Sequence, residues 1–394
     1  VMFGSQLPSA SAAAACLLRH GCNYAVWLGF VWFGIESNHS DGSLVARNRY
    51  CYKWFCLVSR LCISGYFAYM SVGVIAAMSN PHVAVLSWIR LVGCLICAGV
   101  VLVLQFWYGQ RILRVVNNFL RLFRRVKALP GCQVWQFGGR RELGLLLFKV
   151  LCMLYEFFCE LPLLFTKLDA EYIVSVLCDM HITINSSMIC HACFVGFLSV
   201  GALYAQVNRY VRHELRRQLR ALEQPNGQRA SRRELKAAGY RLDECLAIYN
   251  EIQRVSSAFQ ELIELPLSLI LLFLFLSMTL VSYFVMLNRF RDFSIMLLVV
   301  KLFMDLVLLT LAIHGASSSS RVIRRLSLEN CYVTERSDWH MRLEIFLNRL
   351  NFFEFRVTPL GLFEISNELI LVFLSGLVTY LTYILQYGIQ SNQI

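Results

Sequence analysis

The chain has 394 residues, 57% of them hydrophobic, with a mean hydropathy of +0.56 and a formal net charge of +12. Such hydropathy excludes a set of soluble domains of the same length and points to an all-α membrane protein crossing the bilayer many times. The basic excess could serve nucleic acid, but in a membrane chain Lys and Arg first set orientation, so position decides and no nucleic-acid partner is expected.

In chain order, SASAAAACLL at 9–18 resembles the apolar part of a signal peptide, yet no basic segment precedes it, and it is not read as cleaved. YAVWLGFVWFGI at 24–35 is too short for a span and is expected to lie at the interface or re-enter the bilayer. Seven runs reach the roughly 20 apolar residues that a transmembrane helix needs. They lie near 52–78, 83–108, 143–165, 173–206, 262–287, 294–316 and 362–388. Asp179, His181 and Asn185 blur the start of the fourth.

Loop charge orients these spans. The connections 109–142, 206–257 and 317–360 hold 26 Lys and Arg, whereas the alternate connections hold only Lys167, Arg289 and Arg291. The positive-inside rule then predicts a cytoplasmic N-terminus and an extracellular C-terminus, the inverse of G-protein-coupled receptors. Asn38-His39-Ser40 would face the cytosol, and Asn185-Ser186-Ser187 falls inside a span.

The expected divisions are a cytoplasmic segment 1–51, six spans over 52–316 with helical cytoplasmic extensions at 206–257, a cytoplasmic anchor at 317–360, and a last helix with a short tail at 361–394. The extensions carry apolar residues at three- and four-residue spacing, and Pro225-Asn226-Gly227 breaks them. Packing into a bundle, or contact with membrane lipids, would use that stripe. The outer loops 79–82, 166–172 and 288–293 are short, so an external ligand must enter between helices.

No enzyme signature stands at a credible position. The fifteen cysteines are an odd number scattered through apolar runs, against a disulfide framework. Cys94-x-x-Cys97 and Cys190-x-x-Cys193 have metal-like spacing without a second ligand pair and read as packing residues; no metal or cofactor is expected. Asn80-Pro81-His82 reads as a turn.

A charge inside a span is costly and therefore a functional candidate. In the outer halves these are Arg90, Glu156, Glu160, Asp179 and His181, with Asn185, Tyr66, Tyr69, Trp88 and Tyr283 at similar depth. They could line a ligand pocket with aromatic walls, or Arg90 could pair with a carboxylate to hold the bundle; both readings stay open. Lys301 and Asp305, four apart, can neutralise each other.

The last span reads GLVTYLTYILQYGIQ, and Ser375, Thr379, Thr382, Tyr383, Gln386 and Gln390 fall along one side of a helix. That side faces other helices of the subunit or an aqueous path shared between subunits, and periodicity alone leaves both open.

Here the chain resembles the insect gustatory receptors. Their signature is Thr-Tyr, five mostly apolar residues, Gln and usually Phe, and the chain has Thr379-Tyr380, five residues, Gln386 and Tyr387. Gly361-Leu362-Phe363-Glu364-Ile365 precedes the helix as the family's Gly-Leu-Phe-acidic-Ile element does. The resemblance implies a ligand-gated, non-selective cation channel in the plasma membrane of a sensory neuron dendrite. Four subunits, identical or shared with other gustatory receptors, would surround one pore, joined by the cytoplasmic anchor. It implies Gln386 at the pore constriction, Thr382 and Tyr383 lining it one turn inward, Thr379 and Tyr380 supporting the helix, and a small-molecule tastant as ligand. Gln390 and Tyr387 fall beside that constriction, the phenol of Tyr387 adding a hydrogen-bonding group where Phe is usual. The largely apolar outer-half inventory favours a bitter or other non-sugar compound. A non-conducting seven-helix receptor, a co-receptor subunit or a transporter are the rival classes.

Overall fold

A computed structural model describes residues 7–37, 44–79, 81–133, 136–165, 169–215, 217, 232–287, 293–322, 341, 344, 345, 348 and 355–390. The described residues are mostly helical, with one hairpin and a few connecting turns. The helices are α1 (Leu7–Trp27), α2 (Tyr50–Ala76), α3 (Pro81–Phe106), α4 (Gly109–Lys127), α5 (Arg140–Glu160), α6 (Ala170–Tyr210), α7 (Arg232–Leu287), α8 (Phe293–Val322) and α9 (Glu368–Gln390). Strands β1 (Phe33–Ser37) and β2 (Leu44–Asn48) pair antiparallel with Ile35 opposite Ala46.

The alanine-rich start, which resembled a signal peptide, forms α1. Alanine favours helix and is small enough for close approach. Ala10, Ser11 and Ala14 are buried, and Ser11 Oγ accepts from the backbone N–H of Gln136 and of Phe137, each at 2.8 Å, just ahead of α5. The stretch 24–35 is not one apolar piece: it is divided among the end of α1, a turn and β1. At Gly29, φ is +72°, a conformation that favours glycine, and the turn's carbonyls point back into the bundle. Gln105 Nε2 donates to Gly29 O and Phe30 O at 2.8 Å each.

The seven expected spans map onto α2, α3, α5, α6, the second half of α7, α8 and α9. Among the described residues, α2, α3, α6, α7 and α8 hold stretches long and apolar enough to cross a membrane, and α9 a shorter one over Glu368–Tyr383. Charge explains why α5 reads less apolar: Lys149 and Glu156 lie within it. The fifty-six residues of α7 rise about 84 Å, far more than the ~30 Å of hydrocarbon. One continuous helix thus joins the expected extension to the expected fifth span, running through Pro266.

The core gathers along α6, α7 and α8. Gly201 lets α6 approach α8 closely: a Cβ there would lie 3.3 Å from the backbone N of Ala316. Gly196 similarly seats the ring of Phe259 on α7, which stacks edge-on against Phe197 at 5.3 Å. Towards the basic end, Asn208 Nδ2 donates to Ser319 O at 2.6 Å and the Tyr249 hydroxyl to Ser320 O at 2.5 Å. The basic helix α4 buries Leu113, Val115, Leu122 and Val126 and keeps its arginines outside; Arg125 Nη1 reaches Glu251 Oε2 on α7 at 2.6 Å. Asn117 clamps β2 by accepting from Ala46 N at 2.8 Å and donating to Ala46 O at 3.2 Å.

Loops 134–135, 166–168 and 288–292, the sequon Asn38-His39-Ser40, Asn80, and most of 216–231 and 323–354 lie outside the described residues. Asn185, the other sequon asparagine, is buried in α6, where no glycan could be attached.

Candidate functional site

Two features of the bundle bear on function: charges enclosed between helices, and a last helix that its own subunit barely covers.

The first is centred on α5, α6 and α8. Lys149 Nζ lies 2.6 Å from Asp305 Oδ1, and Lys301 Nζ lies 2.9 Å from Asp305 Oδ2 and 3.2 Å from Glu156 Oε2. All four side chains are almost wholly buried. Ser187 Oγ donates to Glu156 Oε2 at 3.0 Å, and His191 Nε2 stands 4.0 Å away. Two cations and two carboxylates make a neutral cluster in which every charge has an opposite neighbour, the condition for burying charge without ruinous cost. The expected pair of Lys301 and Asp305 is present, but Glu156, expected beside a pocket, is enclosed here instead. Lys149 went unnoticed in the sequence, although its seven-residue spacing from Glu156 put both on one face of α5.

Arg90 resolves differently. Its Nη2 lies 2.6 Å from Asp179 Oδ1 and 3.4 Å from Thr183 Oγ1, so α3 is tied to α6 by a partly exposed pair. His181 is half-buried, and its carbonyl accepts from Asn185 Nδ2 at 2.8 Å. Tyr69 and Trp88 are exposed, Tyr66 and Tyr283 half-buried, and the Tyr283 ring stands edge-on to Phe284. Tyr69 lines an open groove of about 770 Å³ with Met70, Val72, Gly73, Ala77 and Glu171. The aromatic residues therefore do not converge with Glu156 on one cavity. The Glu160 side chain lies outside the described residues.

The second feature begins at the segment before α9. Leu360 and Gly361 take positive φ values of 51° and 67°, turning the chain sharply, and Phe363 on the far side is exposed. Gln260 Nε2 donates to Arg356 O at 3.0 Å, and Ser317 Oγ to Phe355 O at 3.0 Å, which fixes this segment to α7 and α8. Beside it Phe197, Gln260, Glu264, Arg356 and Thr358 line a cavity of about 270 Å³.

From that turn α9 rises against α7 along a narrow line. Phe373 meets Phe275 edge-on at 5.6 Å, and Gly376 brings the helix close to the same ring. Much of the described part of α9 is open: Thr379, Tyr380, Thr382, Tyr383 and Gln386 are exposed, as are Leu371, Val372 and Val378. Thr379 and Thr382 turn their hydroxyls back to Ser375 O and Val378 O, each at 2.8 Å. The side chains of Tyr387 and Gln390 lie outside the described residues.

The fold and the sequence both have known counterparts. The insect olfactory receptor OR5 from Machilis hrabei superposes with a TM-score of 0.63 at 11% identity, covering 93% of this chain and 99% of that one. Its complex with eugenol superposes at 0.57. These likenesses show the seven-helix fold. In sequence, gustatory receptor 93c of Drosophila melanogaster is 47% identical over 389 residues, 98% of each chain, and gustatory receptor 93b is 43% identical over 385 residues, 98% of this chain and 96% of that one. The gustatory receptor for bitter taste 93a is 26% identical, over 87% of this chain and 84% of its own. The model of the 7tm chemosensory receptor family matches residues 18–391, so the chain belongs to that family and, with its relatives, to the insect gustatory receptors of the plasma membrane, which are not enzymes.

Proposed function

We propose that the chain is a subunit of a ligand-gated, non-selective cation channel in which four copies, or copies with other gustatory receptor subunits, place α9 around one pore. The observation that carries this reading is the uncovered polar stripe of α9. A membrane helix that keeps Thr379, Thr382, Tyr383 and Gln386 open to its surroundings meets either hydrocarbon, which is costly for Gln386, or water and neighbouring subunits. Closed rotational assembly offers the second, and a ring of neutral polar groups discriminates weakly among cations. In this arrangement the N-terminus is cytoplasmic, the residues around 317–360 join the subunits, and Gln386 forms the constriction with Tyr383 and Thr382 lining it, Thr379 and Tyr380 behind, and Tyr387 and Gln390 at its rim.

The ligand is a small molecule, here a bitter or other non-sugar tastant, in line with the name of the 26%-identical relative for bitter taste. It enters among α2, α3, α5, α6, α7 and α8, with Tyr66, Tyr69, Trp88, His181 and Tyr283 as candidate contacts. Gating requires that it bind the open bundle more tightly than the closed one. The test is a current recording from cells expressing the chain, alone and with other gustatory receptor subunits, against bitter compounds and sugars. A bitter-evoked cation current that changes selectivity on Gln386 substitution supports the reading; current unaltered by every Gln386 substitution contradicts it.

A further inference from the structure

The bundle treats its buried cations in two ways. Lys149 and Lys301 each contact a carboxylate. Arg60, half-way along α2 and only 2% exposed, contacts none among the described residues. Its Nη2 donates to Asn185 Oδ1 at 2.8 Å and to Gly29 O at 3.3 Å, both neutral acceptors. Its Nη1 is buried without a hydrogen-bond partner, and so is the hydroxyl of Ser64, one turn further on the same face. A guanidinium stays charged in any protein, and burying it beside neutral groups alone leaves it uncompensated. Phe67, three residues beyond Ser64 on the same helix, belongs to a buried apolar cluster with Leu91, Cys94, Ala98 and Ile182.

We infer that Arg60 and Ser64 form a site for the carboxylate of a small organic acid, whose short apolar body lies towards Phe67 and Ile182. Two donors one helical turn apart suit the two oxygens of a carboxylate, and one negative charge balances the single positive one. Asn185 orients the guanidinium through Nη2 and leaves Nη1 free for the acid. The inference rests on reading the bundle as a small-molecule receptor, and it names a chemical class for one of its ligands.

Thermal unfolding of the purified full-length chain in detergent tests it, with butanoate and butanamide as probes alike in shape and different in charge. Butanoate is expected to raise the midpoint saturably while butanamide does not. R60Q should weaken the apparent butanoate affinity about tenfold or more and S64A severalfold, whereas R60K keeps most of it. Equal effects of butanoate and butanamide on the unaltered chain would overturn the inference, as would an undiminished butanoate effect in R60Q. If chloride alone gives the same saturable, Arg60-dependent rise, the site takes an inorganic anion and the organic acid is rejected. Should R60Q not fold, the butanoate and butanamide comparison and S64A still decide. No current is read, so a chain stabilised by butanoate that never conducts would sink the channel reading and keep this one. A chain that conducts to neutral tastants with no butanoate effect would do the reverse.

Discussion

Lys149 and Asp305, 156 residues apart in sequence, meet at 2.6 Å inside the bundle and tie α5 to α8. Removing the carboxylate alone would leave Lys149 without an acid and Lys301 with only Glu156. D305N is therefore expected to destabilise the protein by about 3–5 kcal/mol and to cut the folded yield sharply. In K149M/D305N the remaining Lys301 and Glu156 balance each other, so much of the loss should return. Unfolding midpoints of the two variants check this; a double variant no better than D305N would show that the charges do not compensate as described.

Gly201 permits a close approach of α6 to α8. A Cβ there would press on the backbone of Ala316, which cannot swing aside as a side chain can. G201V should cost about 1–3 kcal/mol or more through overpacking, whereas G65A on α2, where a Cβ meets open space, should change stability by less than about 1 kcal/mol. Comparison of midpoints measures both.

Cys132, in the loop ahead of α5, is 3% exposed, and burial pushes its thiol up from the ordinary range, with Arg209 opposing the rise only in part. The thiolate is the reactive form, so it appears only at more alkaline pH than an ordinary thiol requires. Maleimide labelling in the folded protein at pH 8 should be much slower at Cys132 than at the exposed Cys16 and Cys51, and should accelerate as pH rises further. Mass spectrometry of labelled peptides gives both rates; equal rates at pH 8 would refute the burial of Cys132.

What the sequence made legible was what periodicity and composition encode locally. The spans follow from the length of their apolar runs, and the four-residue spacing of Lys301 and Asp305 and the polar stripe of α9 from the helical repeat. Pairing across helices does not: Arg90 and Asp179 were candidates separately, and only the fold chose the pair. Lys149 and Arg60 were overlooked because a single cation in an apolar run near a basic loop looks like part of that loop's charge. The hairpin was missed because Phe33–Ser37 and Leu44–Asn48 are short and lack a two-residue turn signal between them. Helix α1 was obscured because small apolar residues serve a signal peptide and a tightly packed helix equally well.

The polar side of α9 is where the subunits are proposed to meet, and cross-linking reads that meeting without a known agonist. Q386C should form intersubunit disulfides in native membranes under mild oxidation, seen as reductant-sensitive dimers above the level of the unaltered chain. L374C, on another side of the helix, should not. Dimer from Q386C alone is the expected result. No dimer from Q386C, or as much from L374C, would contradict an α9 whose polar stripe surrounds a shared axis.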